Sequence, residues 1–183
     1  MRTMSASFFL SLDGVVEAPQ DWHFPSFSPD AQAATLADVQ GVDTIVLGRV
    51  TYQEWLPTWP PQGTSNPMAA FFNTTRKLVA SNTLDTLEWD GAEVVSGDVT
   101  GTLRAEKDKA GGEIAVYGSG RLVTSLLSAG LIDELRVQVH PVVVGRGQRL
   151  FEGGHSPYGL ELVSTTRFDG GAVGLSYRST GAG

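Results

Sequence analysis

The sequence predicts an α/β protein in which a mostly parallel central sheet carries helices on both faces and ends in an antiparallel C-terminal edge hairpin. Three observations lead to this fold class. Apolar, β-branched runs alternate with amphipathic stretches, glycine or proline marks most changes between them, and a hairpin signal joins the last two runs. With 183 residues, 41% hydrophobic and 18% charged, the chain suits one domain spanning 1–183.

The strands are predicted from short apolar runs rich in Val, Ile, Leu and Phe. In chain order they are 5–11, 43–48, 76–81, 92–96, 113–118, 134–144, 160–168 and 172–178. Between the last two strands, the sequence Asp169-Gly170-Gly171 favours a tight turn, so this pair should be antiparallel.

Five helices are predicted between the strands. The first, in "SPDAQAATLADVQG", has Ser28 as its N-cap, Pro29 at the first helical position and Gly41 as its terminator. The others lie in "RVTYQEWL", "PMAAFFNTT", "TLRAEKDKA" and "GRLVTSLLSAG". The charged segment "RAEKDKA" is interpreted as a solvated helix face.

Composition argues against several classes of protein. A net charge of −7 argues against a nucleic-acid partner, because affinity for phosphate backbones depends on Lys and Arg. No apolar stretch reaches the roughly 18 residues that span a membrane. The chain has no cysteine and no metal-binding histidine spacing, which argues against a metal site. We therefore expect a cytoplasmic protein. Of the histidines, His140 is interpreted as a core or interface residue and His155 as a turn cap.

Two glycine turns at strand ends could bind phosphate. "VYGSGRLV" places glycines at 118–120 between a strand and a helix, and "LGRVTY" does the same with Gly48, Arg49 and Thr51. Glycine lets the backbone approach a ligand closely, a helix N-terminus attracts anions, and arginine supplies a fixed charge. The alternatives are an ordinary strand-to-helix turn and a capped helix with a solvated arginine.

The motifs together resemble a known family. "LGRVTYQEW", "KLVASNTL" and "VYGSGRLVTSLL" occur in the order and spacing of the dihydrofolate reductase fold. "SLDGVV" and "DELRVQVHPVVVGRGQRLF" resemble the branch that contains the C-terminal reductase domain of the bifunctional riboflavin biosynthesis deaminase/reductase. The resemblance covers nearly the whole chain. It implies a dihydrofolate reductase-like fold, an NADPH cofactor and, with the apolar late runs, a homodimer.

The resemblance also implies where NADPH would bind. Arg49 and Thr51 would meet the phosphates on the adenosine side. Ser81 and Asn82 would lie near the adenine ribose, and the turn at 118–122 would hold the diphosphate. The implied cofactor-binding residues are Val16, Gly48, Arg49, Thr51, Ser81, Asn82, Gly118, Ser119, Gly120, Arg121 and Leu122.

A Rossmann site is the main alternative for the later turn. It would need a third glycine where the chain has Val123. It would also need an acid at the end of the next strand, whereas Asp133 and Glu134 lie at its start. An arginine near the ribose favours a 2′-phosphate, and hence NADPH over NADH.

The acceptor side is expected around the loop at 12–28. In the family this loop closes over the nicotinamide, so Val16 would form an apolar wall against the ring. Asp13 is a candidate substrate contact, although it could equally be a turn residue before Gly14. Trp22 could line the same pocket.

Two side chains are candidate proton donors. Asp30 occupies roughly the place from which the classical folate enzymes supply a carboxylate, but helix first turns also favour an acid there. His23 could supply a proton or could be packed among aromatic residues.

The predicted function is an NADPH-dependent reductase that transfers a hydride to a small planar heterocycle or another conjugated C=N or C=O acceptor. Val15 stands where the riboflavin-pathway reductases have a cation near a phosphorylated sugar, which argues against a phosphoribosyl substrate. The alternatives are an authentic dihydrofolate, pteridine or pyrimidine reductase, and a non-catalytic nucleotide-binding dimeric scaffold.

Overall fold

A computed structural model describes residues 1–152 and 158–182. His155 lies outside these residues. The strands are β1 (Met4–Ser11), β2 (Val42–Gly48), β3 (Arg76–Ala80), β4 (Ala92–Val95), β5 (Glu113–Tyr117), β6 (Glu134–His140), β7 (Tyr158–Arg167) and β8 (Val173–Ala182). The helices are α1 (Pro29–Asp38), α2 (Arg49–Trp55), α3 (Pro67–Thr74), α4 (Val99–Asp108) and α5 (Gly120–Ser128). Short 3-10 turns occupy Pro19–Asp21, Phe24–Ser26 and Pro60–Gln62.

The strands form one sheet in the order β4-β3-β2-β5-β1-β6-β8-β7. The pairs from β4 to β6 are parallel, whereas β8 runs antiparallel to both β6 and β7. The predicted mostly parallel sheet with an antiparallel edge hairpin is therefore confirmed.

Local signals account for most element boundaries. Asn66 and Asp98 cap α3 and α4 by accepting N–H groups from Ala69 and Gly101 at 2.9 and 2.8 Å. Ser28 precedes α1 as predicted, but its side chain makes no cap bond to the backbone.

The sixth strand is shorter than predicted. It ends at His140 rather than at 144, because Pro141 has no N–H to donate to a neighbouring strand. The chain then turns toward the first loop, where the Leu12 N–H donates to the Val142 carbonyl at 2.8 Å. This contact brings the segment after β6 beside the segment after β1.

Helices cover both faces of the sheet. On one face, α4 and α5 bury Leu103, Val123 and Leu126 against β1 and β5. On the other face, α2 and α3 bury Tyr52 and Phe72 against β2 and β3. A small third cluster joins α1 to the turn between β7 and β8. None of the helices within 1–152 and 158–182 is long and apolar enough to cross a membrane.

The charged segment of α4 is solvated at Arg104, Asp108 and Lys109, as interpreted from sequence, but not at Glu106 and Lys107, which corrects that interpretation for these two residues. Glu106 and Lys107 are each only 4% exposed. Glu106 pairs with Arg2 and Arg76, and Lys107 donates to Asp133 at 2.7 Å. These partners lie on the amino-terminal side of the sheet, so the charges are buried in a network that supports the fold.

Candidate active site

The carboxyl ends of the parallel strands bring the predicted cofactor positions side by side. Gly48 at the end of β2 is paired with Ala80 at the end of β3, and Leu47 of β2 is paired with Tyr117 at the end of β5. Neighbouring strands lie about 4.8 Å apart. The segments that follow β3, β2 and β5 therefore form one continuous edge.

The two glycine turns pack against each other. A Cβ on Gly118, whose φ is +61°, would lie 2.3 Å from Thr51 Oγ1. A Cβ on Gly48 would lie 2.7 Å from the Ser119 Cβ. Ser119 itself has a φ of +48°, a left-handed conformation that costs on the order of 1–3 kcal/mol. Glycine is thus required at both positions by the close approach of the turns, and backbone strain is concentrated where they meet.

Positive charge is available beside these turns. Arg49 is exposed, and among the described residues its guanidinium binds only Gln53, at 2.8 Å. Arg121 is exposed in the first turn of α5 and, within the described part of the chain, has no ion-pair partner. The Thr51 hydroxyl makes no hydrogen bond to any described residue. These free donors and the N-terminus of α5 fit the diphosphate of a dinucleotide.

The side chains of Ser81 and Asn82 stabilise the loop after β3. The Ser81 hydroxyl accepts the N–H groups of Thr83 and Leu84 at 3.1 and 3.0 Å. The Asn82 Oδ1 accepts the Gly97 N–H at 2.9 Å. A contact of either residue with a ribose stays a prediction.

Asp13 joins the first loop to the segment after β6 by hydrogen bonds. Its carboxylate accepts the N–H groups of Val144 and Gly145 at 3.0 and 2.9 Å and the Ser11 hydroxyl at 2.8 Å. These hydrogen bonds, that of Val144 foremost, lower the pKa of Asp13 to about 2. The Val16 N–H donates to the Gln148 carbonyl at 2.9 Å, which also joins the first loop to the segment after β6. It stays a prediction that Asp13 contacts the substrate and that Val16 packs against the nicotinamide ring.

Trp22 and His23 belong to an aromatic cluster over the ends of β1 and β6. The His23 ring stacks on Phe9 with centroids 4.7 Å apart, and its Nδ1 lies 2.6 Å from the Pro19 carbonyl. Burial lowers the pKa of His23. The Trp22 indole donates to the Glu17 carbonyl at 3.0 Å. His140 is fully buried, as interpreted from sequence.

Asp30 lies at the same sheet edge but faces the turn between β7 and β8. Its carboxylate accepts the Ser28 hydroxyl and, at 3.0 Å, the Asp169 N–H. The Ser28 bond is the main cause of a lowered pKa. A carboxylate held in its ionised form is a poor proton donor. The assignments of Asp30 and His23 to catalysis stay predictions, and these contacts weigh against them.

A group of polar side chains on the face of the sheet covered by α1 and α3 was missed by the sequence reasoning. Its residues are Ser7, Asp38, Glu113, Tyr117 and Arg136. Ser7 of β1 is paired with Tyr117 of β5 on one side and with Arg136 of β6 on the other. The available signal was the alternation of polar with apolar residues in "SASFF" and "ELRVQVH".

The described residues contain no group of three or more His, Asp or Glu side chains that could hold a metal ion.

Comparisons with known proteins identify the family and the fold of this chain. The sequence profile of the RibD C-terminal domain family matches residues 2–173. The chain is 28% identical over 186 residues to uncharacterized protein YyaP of Bacillus subtilis strain 168. The alignment covers 98% of this chain and 96% of that protein.

Two solved structures share the fold. A riboflavin biosynthesis protein assigned in Shewanella sp. PV-4 has a TM-score of 0.73 at 21% identity, with 97% of this chain and 99% of that chain covered. Dihydrofolate reductase from Enterococcus faecalis, complexed with NADP(H), has a TM-score of 0.67 at 18% identity, with 97% and 96% covered. The predicted dihydrofolate reductase-like fold is confirmed.

Proposed function

The chain belongs to the RibD C-terminal domain family, and from this premise we propose that it is an NADPH-dependent reductase of a small planar heterocycle or another conjugated C=N or C=O acceptor. The observation that carries the proposal is the contact between the turns at Gly48 and Gly118, beside which Arg49 and Arg121 form no ion pair with any described carboxylate. In a chain of net charge −7, such a local positive site is what an anionic cofactor requires.

The protein's part in this reaction is binding and orientation. NADPH, when bound, would supply the hydride. Arg49 and Thr51 would contact phosphate, and the first turn of α5 would hold the diphosphate through its N–H groups. The dihydrofolate reductase of Enterococcus faecalis, which shares this fold, is complexed with NADP(H).

A phosphoribosyl acceptor is disfavoured. Val15 is apolar and only 1% exposed, so its own side chain supplies no cation to a phosphorylated sugar, and the neighbouring Arg149 is engaged by Asp13. This observation favours a free heterocycle over the phosphorylated substrate of a riboflavin-pathway reductase.

Calorimetric titration with NADPH and NADH tests the cofactor. NADPH should bind more tightly, and Arg49→Ala should weaken NADPH binding by about 1–3 kcal/mol with little effect on NADH, because a charge-assisted hydrogen bond is lost. Arg104→Ala, which removes an exposed arginine on the opposite face, is the control. Equal affinity of the parent for both nucleotides would contradict the proposal. NADPH oxidation with an acceptor separates a reductase from a non-catalytic scaffold.

A further inference from the structure

The loop between β3 and β4, residues 81–91, runs beside α2, the helix that begins at Arg49. Gly48, the last residue of β2, is paired with Ala80, the last residue of β3. Because neighbouring strands lie about 4.8 Å apart, Arg49 and Ser81 leave the sheet as neighbours. A ligand group that contacts both α2 and this loop therefore depends on how the two elements are held together.

Tyr52 joins α2 to the far end of this loop. Its hydroxyl oxygen accepts the N–H groups of Glu88 and Trp89 at 2.8 and 3.3 Å. Within the described part of the chain, no other hydrogen bond connects α2 with residues 81–91. Tyr52 is only 3% exposed, so these bonds are shielded from water.

The far end of the loop is anchored independently of α2. The Trp89 indole N–H donates to Asn73 Oδ1, on α3, at 2.8 Å. The Lys77 ammonium, on β3, lies 4.9 Å from the centre of the Trp89 ring and donates to the Asp90 carbonyl at 2.9 Å. Tyr52 therefore binds a part of the loop that α3 and β3 already hold in place.

The near end of the loop has no hydrogen bond to α2. The Ser81 hydroxyl binds backbone N–H groups of the loop itself, and Asn82 binds the Gly97 N–H beyond β4. The distance from these two residues to Arg49 is therefore set by strand pairing on one side and by the Tyr52 hydrogen bonds on the other.

We propose that Tyr52 is a positioning residue for the cofactor: its hydroxyl holds the loop at 81–91 against α2, so that Arg49 and the residues at 81–82 can contact a ribose 2′-phosphate together. The inference rests on the proposed NADPH-dependent function and adds the residue that maintains its preference for a 2′-phosphate. A ligand binds more tightly to groups that are already held in the bound arrangement. NADH, which lacks the 2′-phosphate, depends less on this spacing.

Calorimetric titration of Tyr52→Phe tests the proposal, because this change keeps the ring and removes only the hydroxyl. The ligands are NADPH, NADH and two fragments, adenosine 2′,5′-bisphosphate and 5′-AMP, which differ only in the 2′-phosphate. The affinities for NADPH and for the bisphosphate should fall about fivefold to tenfold, whereas those for NADH and 5′-AMP should change less than about twofold. The variant should thus lose most of its preference for the 2′-phosphate.

Two variants serve as controls. Tyr177→Phe removes a hydroxyl from β8, which three strands separate from β2, and should leave all four affinities unchanged. Asn73→Ala removes the partner of the Trp89 indole and so lowers stability in the same region without changing a bond to α2. The folded fraction of Asn73→Ala should keep the parent's preference for NADPH. An equal loss of preference in Asn73→Ala would reflect general destabilisation and would overturn the role of Tyr52.

Hydrogen exchange in the parent is a second measurement, and it decides if Tyr52→Phe does not fold. Coupling between a ligand and a set of hydrogen bonds is reciprocal. Binding of adenosine 2′,5′-bisphosphate should therefore slow amide exchange at Glu88 and Trp89 about fivefold, and 5′-AMP should slow it less than about twofold. Unchanged exchange at these amides with the bisphosphate bound overturns the proposal.

The two proposals fail in different ways. A parent that prefers NADPH, with the same preference in Tyr52→Phe, overturns the role of Tyr52 and leaves the cofactor assignment intact. Equal binding of NADPH and NADH by the parent overturns the cofactor assignment, and the role of Tyr52 falls with it.

Discussion

At the residue scale, the carboxylates of the first loop and of α1 differ in whether their oxygens already accept hydrogen bonds. Asp13 and Asp30 accept hydrogen bonds on both oxygens, and these bonds lower both pKa values. No described residue donates a hydrogen bond to the Asp38 carboxylate, and burial raises its pKa. Of these three groups, Asp38 is therefore the one best suited to hold a proton.

His140 should make the stability of the protein depend on pH. Its imidazole is fully buried, its Nδ1 lies 2.8 Å from the Ser26 hydroxyl, and its Nε2 has no partner among the described residues. Burial, with a smaller effect of His23, lowers its pKa from 6.5 to about 4. Between these values the unfolded chain binds a proton that the folded chain does not, so stability falls as pH falls.

The measurement is urea unfolding of the parent and of His140→Gln from neutral pH to about pH 4. The parent should lose up to about 3 kcal/mol more than the variant over this range. Any difference that is already present at neutral pH reports packing instead. If the free energy of unfolding falls equally with pH in both proteins, His140 does not cause the pH dependence.

At the element scale, the turns before α2 and α5 are in contact, which predicts how much stability is lost when alanine replaces a glycine there. Gly118→Ala combines a positive φ with a Cβ only 2.3 Å from Thr51 Oγ1. Gly130→Ala has a similar φ of +66° but nothing within 4 Å, so it carries the backbone strain alone. We expect a loss of about 1–2 kcal/mol for Gly130→Ala and a larger loss for Gly118→Ala.

Thermal unfolding and NADPH titration of both variants check this prediction. Only Gly118→Ala should also weaken NADPH binding, because it forces the two turns apart. Equal stabilities of the two variants would mean that the turns can separate without cost.

At the scale of the whole molecule, β7 is an exposed edge that favours a homodimer. Among the described strands it pairs only with β8, and Leu162 and Val163 are 49% and 47% exposed. An apolar edge strand with unpaired backbone groups is suited to association with a second copy. Light scattering should give twice the chain mass of 19.5 kDa at micromolar concentration.

Val163→Lys should shift the protein toward monomer, because a charge on the strand disfavours edge pairing. Val143→Lys, at a residue that is 67% exposed in a loop, should not. A parent protein that already scatters as a monomer would exclude this assembly.

The sequence by itself determined the elements, their order and the glycine turns. Strand and helix positions depend on local periodicity, and the turn at 118–120 depends on glycine between a strand and a helix. The end of β6 was the exception, since the apolar run continues past Pro141 and only the pairing of Val142 with Leu12 shows the change of direction.

Only the tertiary structure decided which charges are buried and which polar groups share a face of the sheet. Glu106 and Lys107 resemble solvated helix residues locally, but their partners Arg2 and Asp133 come from distant parts of the chain. In the same way, Tyr117 and Arg136 share one face because β1 lies between β5 and β6. Strand order is set by packing of the whole sheet, which local patterns do not encode.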